Sequence, residues 1–131
     1  MILLDTNAFL WWLSSHEKLS NPVQKAINLE SKNQKLLVSS ISIWEISLLV
    51  NKNRLSIGRP LEEWVTGLKD LEEIEFIPID NSIAYKSTCL PGKFHADPAD
   101  RLVVATARHL GATLITSDKL IRKYKHVKTL W

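Results

Sequence analysis

Five carboxylates stand where acidic oxygens could act together: Asp5, Glu45, Asp97, Asp100 and Asp118. Hard oxygen donors of this kind suit Mg2+ or Mn2+. A divalent ion so held lowers the pKa of a bound water and neutralises charge on a phosphate oxygen, and two ions can clamp both the entering and the leaving oxygen. Each acid also has a plainer use. Asp5 and Asp118 could cap short helices. Asp97 precedes Pro98 as an N-cap does, and Asp100 falls in the first turn, where negative charge favours the helix dipole. Ser42 and Glu45 have the spacing of a capping box. Taken singly, capping is the commoner use of such residues. Zinc chemistry has no support, because His16, His95, His109 and His126 are scattered, no His-Glu-x-x-His occurs, and Cys89 stands alone.

The elements that carry these acids decide between the two readings. Ile2–Leu4 reads as a buried strand, followed at once by a helix through Phe9 and Leu13. Pro22–Leu29 reads as a second helix, with Asn21 as its cap and Pro22 at its first position. Leu36–Val38 is a strand, and Ile43–Val50 a helix. Leu61–Leu71 is helical, with Leu61, Trp64, Val65 and Leu68 on one face. A strand over Phe76–Ile79 and a helix over Asn81–Cys89 follow. Pro98–Leu110 is a helix that Gly111 ends. Thr113–Thr116 is a strand, Lys119–Lys123 a short helix and Val127–Leu130 a last strand. Such alternation predicts a three-layer α/β/α sandwich around a mostly parallel sheet.

In a sheet of this kind, sites form at the carboxyl ends of the strands. Asp5, Glu45, Asp100 and Asp118 all fall at that edge, so they should face one cleft. Two like charges about 4 Å apart repel by on the order of 4 kcal/mol at an effective dielectric near 20. Either some of these acids hold protons or cations fill the cleft.

The remaining composition sets bounds. A chain of 131 residues, 45% hydrophobic, buries a core of its own and is expected to form one domain over residues 1–131. The lone cysteine excludes a disulfide framework and fits a reducing cytosol. The apolar start carries Asp5 and Asn7 without a basic leader, which argues against a secretory signal. No apolar run approaches a membrane span. Net charge is only +3, yet setting the four cleft acids aside leaves 17 basic against 10 acidic side chains, or +7 elsewhere. That balance suits a polyanion lying over an acidic cleft. Lys93, His95 and Arg101 flank the third acidic position and could touch its backbone. Lys119, Arg122, Lys123, Lys125 and Lys128 read as a solvated basic face. Trp11 and Trp12 cannot both face one core from one helix, so one is expected to meet another helix or a partner.

Four stretches, taken in order, carry a resemblance. Leu3-Leu4-Asp5-Thr6-Asn7, Ser42-Ile43-Trp44-Glu45, the run from Asp97-Pro98-Ala99-Asp100-Arg101 to Ala107, and Thr113-Leu114-Ile115-Thr116-Ser117-Asp118 resemble the PIN domain across essentially the whole chain. Leu90-Pro91-Gly92 through Arg101 is similar to its bacterial VapC-like branch. The resemblance implies an Mg2+- or Mn2+-dependent endoribonuclease, the toxin of a type II toxin–antitoxin pair. It implies metal ligation by Asp5 and Asp100, with Glu45 and Asp118 completing the pocket and Asp118 serving a second metal or an ordered water. Thr6, Asn7, Thr116 and Ser117 match the polar positions beside the first and last acids, and Asp97 a cap or supporting residue. The implied partners are RNA, a cognate antitoxin whose tail blocks the cleft, and a second copy of the chain. Two other classes compete. An idle PIN-like module that binds RNA is opposed by the complete acidic set. A phosphatase with Asp5 as covalent nucleophile wants a second Asp two residues on, where this chain has Asn7.

Overall fold

The computed structural model describes residues 1–131. Five strands form one sheet: β1 (Ile2–Leu4), β2 (Leu36–Ser39), β3 (Ile74–Ile77), β4 (Thr113–Ile115) and β5 (Thr129–Leu130). Their order is β3-β2-β1-β4-β5, and every pairing is parallel. The expected mostly parallel sheet is thus wholly parallel. Seven helices cover it: α1 (Thr6–Ser14), α2 (Asn21–Glu30), α3 (Ser40–Asn51), α4 (Leu61–Gly67), α5 (Asn81–Thr88), α6 (Pro98–Leu110) and α7 (Lys119–Lys123).

The period of two in the strands sorts the core into two layers. Leu3, Leu37 and Leu114 point to one face and pack with Ile83, Val103, Val104 and Ile121 of α5, α6 and α7. Ile2, Leu4, Leu36, Val38 and Ile115 point to the other, onto Phe9 of α1, Val23 and Ile27 of α2 and Ile46 of α3. These residues are almost completely buried, at roughly 1.5–3 kcal/mol for each large side chain. The three-layer sandwich expected from the alternation is therefore present. No helix is long and apolar enough to cross a membrane.

Several boundaries depart from expectation, each for a physical reason. Ser20, not Asn21, caps α2 by accepting from the Val23 N–H at 3.3 Å, which moves Pro22 one place into the helix. Helix α3 begins three residues early, at Ser40, with Ser39 Oγ accepting from the Ile41 N–H. Ser42 and Glu45 are therefore interior and form no capping box. The helix expected over Leu61–Leu71 stops at Gly67, and Leu68–Asp70 tighten into a 3-10 turn. Strand β3 lies two residues ahead of the expected Phe76–Ile79, because Ile74 pairs with Leu36 and Pro78 has no N–H to extend the ladder.

Trp11 and Trp12 are both half-buried against the same core cluster. The expected divergence fails because two indoles about 100° apart on a helix both reach sideways onto the layer. Trp11 lies against the Trp131 ring at 5.5 Å between centroids.

Candidate active site

Strand order reverses at β1, with β2 on one side and β4 on the other. A crevice opens at the carboxyl ends of strands at such a point. Asp5 follows β1 and Asp118 follows β4, so the two acids flank it from the sheet. The Asp5 N–H donates to the Ile115 carbonyl at 3.1 Å, which extends the β1–β4 pairing to the acid itself. Helices α3 and α6 bring Glu45 and Asp100 to the same place. Asp5, Glu45, Asp100 and Asp118 line one pocket of about 260 Å³, together with Thr6, Asn7 and three apolar residues.

Each acid is held in its own way. Asp5 caps α1, its Oδ1 accepting from the Ala8 N–H at 2.8 Å. Burial pushes its carboxyl from 3.8 up to about 6, helped by the charges of Asp100 and Asp118, while the Thr116 hydroxyl and the Ala8 N–H pull it down. Glu45 lies above the ordinary glutamate range, first through burial and then through Asp100, Asp97 and Asp5. The Thr6 hydroxyl stands 2.6 Å from Glu45 Oε1 and 2.9 Å from Ser42 Oγ. With a single proton it donates to the carboxylate and accepts from Ser42.

Asp100 is also raised, by burial first and then by Asp97 and Asp118, against a hydrogen bond with His95. His95 Nε2 lies 2.7 Å from Asp100 Oδ2. Asp118 caps α7, its Oδ1 accepting from the N–H groups of Leu120 and Ile121 at 2.9 and 3.0 Å. Its own N–H donates to Thr116 Oγ1 at 3.1 Å. For Asp5 and Asp118, capping and membership of the pocket thus coexist. In each, Oδ1 takes the helix N–H groups.

The other expected site residues divide. Thr6 and Asn7 line the pocket. Thr116 is fully buried beneath Asp5 and Asp118, and Ser117 is half-buried outside the lining. Asp97 is exposed and caps α6 by accepting from the Asp100 N–H at 2.9 Å. Lys93 and His95 line an adjoining cavity. Arg101 donates Nε to the Ser87 carbonyl and Nη1 to the carbonyls of Phe94 and His95, which ties the loop ahead of α6 to that helix.

The sequence offered Ser42 as a cap, whereas its hydroxyl meets that of Thr6, and it did not single out the apolar wall of Leu49, Val103 and Ile121. The signal for the wall was present. Each of these three follows a pocket acid by one helical turn, at i+4 or i+3, which places it on the same helix face. That wall is what desolvates the acids.

The polar side chains of the lining are four carboxylates, the Thr6 hydroxyl and the Asn7 amide, with no histidine or cysteine, which fits a hard divalent cation. No three side chains are already set as a ligand cluster. The raised carboxyl pKa values of Asp5, Glu45 and Asp100 come first from burial and then from the neighbouring acids, and a cation bound among them would offset both.

Fold and site together define an α/β/α protein with a carboxylate pocket at its topological switch point. The PIN domain family model matches residues 2–127, and the chain belongs to the PIN domain family. It is 33% identical over 132 residues to Ribonuclease VapC22 of Mycobacterium tuberculosis, covering 99% of this chain and 98% of that protein. Among solved structures it resembles VapBC2 from Rickettsia felis bound to a promoter DNA fragment, with a TM-score of 0.71 at 22% identity over 100% of this chain and 99% of that one. VapBC-1 from nontypeable Haemophilus influenzae gives a TM-score of 0.70 at 18% identity, over 99% and 97%. These likenesses share the fold.

Proposed function

We propose that this single-domain chain is a Mg2+- or Mn2+-dependent endoribonuclease and the toxin of a type II toxin–antitoxin pair, working in the cytoplasm. The observation that carries the chemistry is the set of four carboxylates from four separate chain segments in one pocket, three of them with raised pKa values. The name of its mycobacterial relative supports ribonuclease action, and the VapBC complexes among its structural neighbours support an antitoxin partner. A homodimer is the proposed assembly.

Asp5, Asp100 and Asp118 are the proposed ligands. A bound divalent ion supplies Lewis acidity to the scissile phosphate and to the attacking water. The chain's own residues do the rest. Thr6 holds Glu45 in place by its hydroxyl, and Glu45 can accept a proton from the attacking water. His95 orients Asp100, and the two helix caps fix Asp5 and Asp118. Leu49, Val103 and Ile121 limit water on one side, which strengthens every electrostatic interaction inside. The water oxygen forms a new P–O bond as the bond to the ribose oxygen breaks.

Cleavage of RNA with Mg2+ or Mn2+ tests this reading. Wild type should hydrolyse RNA and stop on adding EDTA. Asp5→Asn should lose more than the roughly 100-fold that removing a mere supporting residue costs. Equal cleavage by both proteins defeats the site assignment, and no cleavage by either favours an RNA-binding module.

A further inference from the structure

A second cavity, of about 280 Å³, adjoins the carboxylate pocket and has the opposite charge. Its lining includes Lys93, Lys123 and Lys125, the rings of Phe94, Tyr124 and His126, and no carboxylate. Neither of the two ion pairs in the chain involves any of these lysines, so their charges are uncompensated. The two cavities touch at two points. His95 lines the basic one while its Nε2 lies 2.7 Å from Asp100 of the acidic one. Leu120 lines the basic one while its N–H donates to Asp118.

The basic cavity is built, with rings meeting in series. Phe94 lies against His95 at 4.3 Å and against Tyr124 at 4.8 Å, and Tyr124 against His126 at 5.3 Å, between centroids. The Tyr124 hydroxyl donates to the Pro91 carbonyl, and Arg108 donates to the His126 carbonyl. Gly92, beside His126, has φ +66°, a backbone conformation that L side chains rarely adopt.

A nucleic-acid strand presents two things at each step, a phosphate and a base with a π-face. Cations meet the first and aromatic rings the second. We propose that this cavity is a subsite for single-stranded RNA, taking the nucleotide next to the scissile phosphate. Lys93, Lys123 and Lys125 grip its phosphate, and the rings of Phe94 and His126 receive its base. The inference rests on the nuclease reading of the acidic pocket and adds the path of the strand. A single strand is required because a duplex buries the base faces in its own stack. The sign change across the His95–Asp100 contact sets the register. A phosphate is repelled by the bare carboxylates and drawn to the lysines, so the strand enters from the basic side.

The test is metal-free binding of a fluorescent single-stranded oligoribonucleotide, read by anisotropy over a salt series. The proteins compared are wild type, Lys123→Ala/Lys125→Ala and His126→Ala. The lysines are exposed, so the double variant should keep its melting temperature and its Mn2+ affinity. We expect its RNA affinity to fall about tenfold at low salt. The slope of log K against log salt should flatten by about 0.7, the contribution of the one phosphate no longer neutralised. His126→Ala should weaken binding with an unchanged slope, the mark of missing base stacking. Wild-type affinity and slope in the double variant would overturn the proposal, as would equal weakening on double-stranded RNA. Nuclease activity of wild type with Mn2+ is measured separately. If it is absent, the nuclease reading fails alone, and the metal-free comparison still decides the cavity.

Discussion

Asp5 serves two functions that pull its carboxyl in opposite directions. Capping α1 favours the charged form, whereas burial and the facing acids favour the neutral one and prevail, at about 6 against 3.8. A folded-state pKa above the unfolded one means that the native state binds the proton more tightly. The resulting stability is fully present below about pH 4 and is lost as pH rises through about 6. A shift of that size corresponds to roughly 3 kcal/mol, less what solvent at the pocket mouth screens. Metal-free Asp5→Asn keeps the cap and never ionises. It should therefore be about 1–3 kcal/mol more stable than wild type at pH 7.5 and no more stable at pH 4. Denaturant unfolding at both values checks this, and no gain at pH 7.5 would show that the acids are not in conflict. Thr6 poses the complementary case. Thr6→Val removes one hydroxyl and leaves Glu45 without its donor, which should raise that carboxyl further. RNA hydrolysis should fall about 10- to 100-fold with the fold intact by circular dichroism.

At the scale of elements, helix starts matter because Asp5 and Asp118 cap α1 and α7 and Asp100 lies in the first turn of α6, whereas Glu45 comes from the interior of α3. Asp97 is the informative exception, since it caps α6 from outside the pocket. Asp97→Ala should cost about 1 kcal/mol, read as a lower melting temperature, while Asp97→Asn restores the cap and the stability. If Asp97→Asn instead lost hydrolysis as Asp5→Asn does, Asp97 would belong to the chemistry. Helix ends were the least legible part of the sequence, and α3 shows why. Ser39, Ser40 and Ser42 each offer a hydroxyl able to cap. Local chemistry does not rank them, and the choice falls to Ser39 because Ser42 is taken by Thr6 from another segment. The end of α6 was legible because Gly111 alone there adopts φ +66° without strain.

For the molecule as a whole, the alternation of strands and helices carried most of the information. It implied parallel pairing, and parallel pairing by itself puts the acids on one edge. The basic cavity was not legible in that way. Lys93 lies ahead of α6 and Lys123 and Lys125 at the end of α7, and only the turn of the chain around Phe94 and Tyr124 unites them. The same global arrangement makes a last prediction about stability and metal together. An ion that binds only the native pocket stabilises the fold by about 2.7 kcal/mol at a hundred times its Kd. For a domain of this size that raises Tm by on the order of 10 °C. Below pH 6 the ion must first displace the Asp5 proton, which removes about 1.4 kcal/mol for each pH unit and proton. Mn2+ should therefore raise the melting temperature strongly at pH 7.5 and weakly at pH 5. Asp5→Asn/Asp100→Asn should show no Mn2+ effect at either pH, although its metal-free melting point exceeds that of wild type at pH 7.5. A Mn2+ gain that persists in this double variant would place the ion elsewhere. A gain equal at both pH values would mean that Asp5 is not a ligand.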